Sequence, residues 1–341
     1  MSSDISILDK FRIKSSQQFI PMQASLELTN RCNERCTHCY IEDFSDDPRR
    51  VLNLEQWYVV LEQLRQAGTL FLILMGGEAM LNPLFWDILK KSREMSFHTS
   101  MITNGLKIQT TEVAKRLKEF GLKNATISLY SLDPLVHDKM TRVRGSQQKT
   151  MKAIELCLQA GINVTLNCLL TKQNIEGVFE VEDWALAKDL SLKVDPMITP
   201  KLNGNLDPIQ YRVSMDQLKW YYQEKMRRWP NGKPKASGET TEDYTCNAGK
   251  GKCAVNAYGD LFPCIEIRDS LGNLLEKPFH ELWHGEKVQP WRQMKWKQIE
   301  NVDQETISFC DHCPGMAKNE TGNPLKTTCF SRQVAKVKKE M

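Results

Sequence analysis

The chain has 341 residues, with 46 Lys and Arg against 42 Asp and Glu, and a formal net charge of +4. That length exceeds what one growing hydrophobic core serves, so a large domain with a smaller appendage is expected, and the near balance of charge gives no electrostatic ground for a nucleic-acid partner. No apolar run approaches the length of a membrane span, and Met1 to Lys14 lacks the apolar segment of a secretory signal, which reads as a cytoplasmic protein with no membrane partner.

Between residues 24 and 200, strand-like and helix-like patterns alternate about six times. The strands read at 24–29, 70–75, 97–102, 125–129, 162–170 and 191–198, and helices near 54–67, 82–95, 110–120, 147–160 and 176–188 lie between them. Repeated βα units imply a parallel sheet covered by helices, either an incomplete (β/α)6 barrel or a doubly wound open sheet.

The first strand runs into Cys32-Asn-Glu-Arg-Cys36-Thr-His-Cys39-Tyr40, three thiols at spacings of four and three residues. Thiolate sulfur ligates iron-sulfur clusters and zinc, and four cysteines are the usual closed set, so three leave a position open. A Cys3His zinc site completed by His38 is the alternative. The place of the loop favours the open site, because barrel enzymes put their chemistry at the carboxyl ends of strands.

The later strand ends carry further candidates. Met75-Gly76-Gly77-Glu78 ends the second, Thr103-Asn104-Gly105 the third, and Ser128-Leu129-Tyr130-Ser131 the fourth. Glycines permit close backbone approach and a carboxylate can pair with an ammonium group. His137-Asp138 and Thr141-Arg142-Val143-Arg144-Gly145-Ser146 follow the fourth strand. In the fifth, Cys168 alternates with Val164, Leu166 and Leu170, so Asn167 is expected to face the barrel interior and Cys168 the helices. Cys157, in an amphipathic helical pattern, reads as a small buried hydrophobe.

Residues 201–245 read as a linker, broken by Gly204, Pro208, Pro230, Gly232 and Pro234 around a helix near Ser214 to Arg228. From 246 to 332 the chain is rich in cysteine: Cys246, Cys253, Cys264, Cys310, Cys313 and Cys329. A hairpin from Cys253 to Cys264 is expected to turn at Gly259-Asp260. Eleven cysteines in a chain of this length and class favour metal ligation over disulfides. The basic stretch from Arg332 to Lys339 reads as a solvated helix face.

Taken together, the cysteine loop with Tyr40 after it, the Gly76-Gly77-Glu78 turn one βα unit later and the Thr103, Asn104 and Ser128 strand ends resemble the radical S-adenosylmethionine (SAM) enzymes. The resemblance runs from about residue 22 to 332. It implies a partial (β/α)6 TIM-type barrel over 22–200 whose cysteine loop holds a 4Fe-4S cluster with one iron left open for SAM. Glu78 would then meet the SAM ammonium group, Thr103, Asn104 and Ser128 would line its ribose and carboxylate, and Arg144, ahead of Arg142, would pair with the carboxylate as an arginine fork can.

Cys246-x6-Cys253-x10-Cys264, Gly259 five residues before Cys264, Gly272-Asn273, Phe279-His-Glu-Leu-Trp283 and Cys310-x2-Cys313 resemble the SPASM/twitch extension that holds auxiliary 4Fe-4S clusters. The full SPASM pattern has seven cysteines and this chain has six. One matching makes Cys246, Cys253, Cys264 and Cys313 a complete cluster with Cys310 and Cys329 left over; another uses Cys246, Cys264, Cys310 and Cys313. A structural zinc in the module is a third option.

The resemblance further implies an enzyme that reductively cleaves SAM to a 5'-deoxyadenosyl radical, which takes hydrogen from an unactivated carbon, the reductant being a protein such as flavodoxin or ferredoxin. Two substrate classes follow by analogy. The first is a ribosomally made peptide undergoing crosslinking, epimerisation or oxidation, held by a separate recognition protein or directly by the open barrel. The second is a small metabolite. A metal-binding scaffold without activity is the alternative of another class.

Overall fold

A parallel sheet whose strands follow one another in chain order, each linked to the next by helix, curls toward a barrel because every crossover places its helix on the same face. The computed structural model, which describes residues 6–229 and 240–341, has this arrangement. After α1 (Ile7–Gln17) come β1 (Gln23–Glu27), α2 (Leu54–Gln66), β2 (Phe71–Met75), α3 (Phe85–Glu94), β3 (His98–Thr103), α4 (Thr111–Glu119) and β4 (Leu122–Ser128). Two helices, α5 (Pro134–Thr141) and α6 (Ser146–Gln159), precede β5 (Asn163–Leu169), which is followed by α7 (Val178–Ala187), β6 (Ser191–Asp195) and α8 (Met215–Arg228). The strand order β6-β5-β4-β3-β2-β1 has no reversal, whereas a doubly wound sheet turns back at a switch point, so the open barrel is the architecture present.

Side-chain alternation separates the two faces of the sheet. Ala24, Leu26, Leu72, Leu74, Ile127 and Leu166 are fully buried beneath the helices, with Trp57, Phe85 and Ile88 packed against them. The inner face is mixed: Ser100, Asn124 and Thr165, with Phe71 and Ile73, line a cavity of about 470 Å³ at the amino-terminal ends of the strands. Asn167 is half-buried and alternates with the helix-facing Leu166 and Cys168, and Cys168 packs with Val178 and Leu218 of α7 and α8. Cys157 is fully buried in the core.

Helix starts are set by local chemistry. Asn53 and Gln56 form a reciprocal capping box at α2, and Ser214 and Gln217 do the same at α8. The sequence pattern does not anticipate α1 or α5. Asp133 caps α5 and Pro134 opens it, a start signal followed by only two turns of helix.

The hairpin after the linker forms, with β7 (Lys252–Val255) antiparallel to β8 (Asp260–Phe262) and β8 to β9 (Gly272–Asn273). Gly259 takes the left-handed conformation that the turn requires. The hairpin does not stand apart from the barrel: β7 pairs in parallel with β1, Gln23 opposite Lys252 and Leu26 opposite Val255, so one nine-stranded sheet runs through both parts. The remaining chain is short helices: α9 (Phe279–His284), α10 (Gln289–Arg292), α11 (Gln304–Ile307), α12 (Pro314–Thr321) and α13 (Cys329–Glu340). The basic residues of α13 lie outside an apolar stripe of Phe330, Val334 and Val337 packed with α8 residues. Pro230, Gly232 and Pro234 of the linker lie outside the described residues. No described helix is long and apolar enough to cross a membrane.

An ion pair fastens the segment after β6 to the module. Arg212, 9% exposed, donates to both carboxylate oxygens of Glu320 on α12 (2.6 and 3.1 Å) and to the Ile198 carbonyl. Removing one member of a buried pair strands the other charge, so Glu320→Ala is expected to cost about 3–5 kcal/mol in urea denaturation. A loss under about 1 kcal/mol, the size of a surface pair, would show that the contact is solvated.

Candidate functional site

The loop carrying Cys32, Cys36 and Cys39 leaves the carboxyl end of β1 and is held from four directions. Gly77 N–H donates to Thr29 O and Glu78 N–H to Arg31 O, both at 2.8 Å. A Cβ on Gly76 would lie 2.3 Å from Thr29 O, and one on Gly77 2.4 Å from Arg31 O. The two glycines therefore serve a backbone-on-backbone contact that seats the loop, rather than opening space for a ligand. From α5, the Thr141 and Met140 carbonyls accept from Arg35 N–H (3.0 Å) and Thr37 N–H (2.9 Å). Thr37 Oγ1 donates to Gln173 (2.8 Å), and the Tyr40 carbonyl accepts from Leu202 N–H (3.0 Å).

Glu78 is fully buried, and its carboxylate is already engaged. It accepts from Thr103 Oγ1 (2.8 Å), Asn104 N–H (3.0 Å) and Met80 N–H (3.2 Å). A carboxylate has about four lone-pair sites, so one acceptor position remains. The Thr103 hydroxyl also accepts from Gly105 N–H (3.0 Å), which makes Thr103 a support for the Glu78 turn. Asn104 reaches the cysteine loop, donating to Asn33 Oδ1 (2.7 Å) with its amide 3.9 Å from Cys32 Sγ. Ser128 and Asn167 are register partners on the inner face of neighbouring strands.

Arg144 is exposed, and among the described residues it has neither hydrogen bond nor ion pair. Asp138 shapes the turn that carries Arg144: it accepts from Gly145 N–H, Ser146 Oγ and Gln147 N–H, while Arg142 takes the left-handed conformation. His137 is buried beneath Tyr130, whose N–H it accepts, and His38 meets the other side of the Tyr130 ring edge-on at 4.7 Å. His38 is not aligned with the thiols as a fourth ligand of one ion. No three His, Cys, Asp or Glu side chains among the described residues are placed to share a single metal ion. An iron-sulfur cluster does not require that, since each thiolate takes its own iron.

The electrostatics of the loop fit such a cluster. Burial, reinforced by Glu78 and Glu34, pushes Cys32 up to about 12, and burial raises Cys36 and Cys39 as well. Burial also lifts Glu34 to about 7, and its Oε1 has no partner. The pocket thus gathers three thiols and the carboxyls of Glu34 and Glu78, whose negative forms burial opposes, while Lys201 and Arg35 favour the thiolate of Cys39 alone among the three. A cationic iron core would supply the missing charge and let the thiolates form.

A second group of cysteines meets the inner face of the barrel. Cys246, Cys253, Cys264 and Cys313 line a cavity of about 330 Å³ floored by Ser25 and Met75. A Cβ on Gly315 would lie 2.6 Å from Glu266 O, so Gly315 allows the start of α12, with Cys313 ahead of it, to pack on the Cys264–Glu266 turn. Cys313 is raised to about 12 and Cys264 to about 11, by burial first and then by neighbouring negative groups that include Cys246. Cys310 shares an apolar cluster with Cys264, Trp291 and Trp296 but does not line the cavity, and Cys329 is exposed at the start of α13.

Sequence reasoning passed over Glu27 and Arg268, which join the barrel mouth to the module by two contacts of 2.8 and 2.9 Å beside the half-buried Tyr40 and Glu266. Glu27 follows Gln23 and Ser25 on the polar side of the β1 alternation, which is a usable signal. Nothing in the sequence marks Arg268.

The family model described as the radical SAM superfamily matches residues 26–185, and the iron-sulfur cluster-binding domain SPASM matches residues 246–314. An AdoMet-dependent heme synthase of Methanosarcina barkeri is 24% identical over 79% of this chain and 83% of its own length. The antilisterial bacteriocin subtilosin biosynthesis protein AlbA of Bacillus subtilis is 26% identical over 87% of this chain and 67% of its own. Among solved structures, native anSMEcpe with bound AdoMet superposes with a TM-score of 0.74 at 18% identity, over 94% of this chain and 96% of that one. Streptococcus suis SuiB bound to precursor peptide SuiA superposes at 0.72 and 17%, over 97% and 83%.

Two outcomes are expected of the protein before iron is added. Glu78→Ala leaves three donors without an acceptor and should destabilise the fold by about 2 kcal/mol or more, with Glu78→Gln costing less because one oxygen can still face Thr103 and Asn104. Equal stability of the Ala variant in denaturant titration would show that the carboxylate is not tied to the turn. At pH 8 the Cys32 thiolate fraction is about one in ten thousand, so its alkylation should lag that of the exposed Cys329 and accelerate about tenfold per pH unit toward pH 12. Rapid alkylation of Cys32 at pH 8 would contradict its burial.

Proposed function

Because the chain belongs to the radical SAM superfamily and carries a C-terminal SPASM iron-sulfur domain, we propose that this enzyme, whose cofactors are SAM, a SAM-binding 4Fe-4S cluster and at least one auxiliary cluster, removes hydrogen from a ribosomally made peptide. The observation that carries the site is the seating of the three-cysteine loop on the Gly76-Gly77 turn, which brings Cys32 beside Asn104 and Glu78. When bound, the cofactors supply one-electron cleavage of SAM and hydrogen abstraction.

The chain supplies the binding groups. Cys32, Cys36 and Cys39 hold the cluster. Glu78 offers its remaining lone pair to the SAM ammonium group, with Gly76 and Gly77 fixing the turn and Thr103 steadying the carboxylate. Asn104, Ser128 and Asn167 present amide and hydroxyl groups toward the ribose and carboxylate, and Arg144 is free to swing its guanidinium onto that carboxylate. Tyr40, half-buried beside the Glu27–Arg268 pair, closes the loop against the module and limits water there.

The peptide reading draws support from relatives named as a bacteriocin biosynthesis protein and a PqqA peptide cyclase, from the similar fold of SuiB bound to a precursor peptide, and from a sheet that β6 and β9 end rather than close. The second reading, a small-molecule substrate, is favoured by the heme synthases among the relatives.

Reconstituted protein under anaerobic reducing conditions is expected to release 5'-deoxyadenosine from SAM. Replacing Cys32, Cys36 and Cys39 by Ala should abolish that release and lower iron by about four atoms per chain; turnover in the triple variant would overturn the assignment. Incubation with peptides encoded beside this gene, read by mass spectrometry, separates the substrates: a covalent change in a peptide supports the first reading, and turnover only with a small metabolite supports the second.

A further inference from the structure

We infer that the auxiliary cluster takes three cysteines, Cys246, Cys264 and Cys313, and the Nδ1 atom of His312 as its fourth ligand, in place of Cys253. The inference rests on the reading of residues 246–314 as a cluster-holding module. It comes from asking which of the groups around that cavity can turn a lone pair into it.

Cys253 touches the cavity wall but is poorly placed to do so. Its strand, β7, pairs with β1 so that Cys253 stands opposite Ala24 while Lys252 stands opposite Gln23. Gln23 and Lys252 belong to the inner face and line the cavity, and Ala24 belongs to the helix-covered face. Cys253 accordingly shares the core with Ala24, Leu26 and Val255, and burial alone raises its thiol, with no contribution from the other cysteines. Cys264 has Cys246 among its charged neighbours, and Cys313 has both Cys264 and Cys246.

His312 has the features of a ligand. It lines the same cavity, is 6% exposed, and immediately precedes Cys313. Its Nε2 lies 3.0 Å from the Pro324 carbonyl, which can only accept, so the ring proton sits on Nε2 and the lone pair on Nδ1. Nδ1 is buried without a partner, the one such side-chain nitrogen or oxygen among the described residues lining the cavity. A ring whose far nitrogen donates to a backbone carbonyl is the usual arrangement of a metal-bound imidazole. Glu266, the other ionisable candidate beside these cysteines, accepts from Thr199 Oγ1 at 3.2 Å and so, unlike Nδ1 of His312, is not left without a partner.

Ligation by a neutral imidazole forms an Nδ1–iron bond without releasing a proton, and it leaves the cluster one negative charge short of four-thiolate ligation. The reduction potential should therefore be higher than that of an all-cysteine cluster, as replacement of cysteine by histidine raises it elsewhere.

The test uses the full chain with Cys32, Cys36 and Cys39 replaced by Ala, so that the only cluster signal is the auxiliary one. The expected result is about four irons per chain, a directly bound 14N coupling in pulsed paramagnetic resonance of the reduced protein, loss of that coupling with a lower reduction potential in His312→Cys, and iron unchanged in Cys253→Ala. Four irons with no nitrogen coupling would overturn the histidine ligand while leaving the module's reading intact, as would loss of the cluster in a folded Cys253→Ala. Absence of auxiliary iron would overturn both.

Discussion

The backbone pairing of β1 holds the molecule and its chemistry together. On one edge β1 bonds to β2, whose end is the Gly76-Gly77 turn that seats the cysteine loop; on the other it bonds to β7, which opens the cysteine-rich module. Both edges of one five-residue strand therefore set where the two sets of cysteines stand relative to each other. The cysteine loop continues the same strand, and the second cavity abuts the strand's inner face. A slip of one residue in either pairing would turn Leu26 inward and Ser25 into the helices, so the hydrophobic core and the cofactor sites fix the same register.

The barrel's inner face explains why the core lies outside it. Serine, asparagine and threonine side chains share the interior with a few apolar ones, among them Ile73, Met75 and Ile102, and β6 ends the sheet. Stability comes from the helix layer and from contacts that tie the module back across the mouth: Glu27 with Arg268, Thr199 with Glu266 and Arg212 with Glu320. The first two of these surround Tyr40 and the cysteine loop, so the groups that close the fold also bound the space above the site.

Much of this was legible in the sequence, for identifiable reasons. Periodicity placed the six barrel strands and six of the helices, the one near Ser214 to Arg228 included. The cysteine spacing and the Gly-Gly-Glu turn were readable because cluster ligation and close backbone approach admit few residue types. What escaped depends on contacts distant in sequence. The pairing of β7 with β1 joins residues more than two hundred positions apart, and no local pattern announces it. The glycines of Gly76-Gly77 were expected to make room for a ligand, while their neighbours are the Thr29 and Arg31 carbonyls. Arg144 was chosen for its chemistry, and its exposure follows from a turn that Asp138 builds. Helix α5 was missed because two turns carry too little periodicity. The choice among the module's cysteines needed the strand register and the His312 environment, and neither can be read from spacing.

The central claim is that the cluster held by Cys32, Cys36 and Cys39 keeps one iron for SAM. Paramagnetic resonance of the reduced protein before and after addition of SAM, with the auxiliary cluster removed by Cys246→Ala and Cys264→Ala, examines that iron directly. A shift of the cluster's resonance on adding SAM is expected. An unchanged spectrum, with SAM binding established separately by calorimetry, would contradict it.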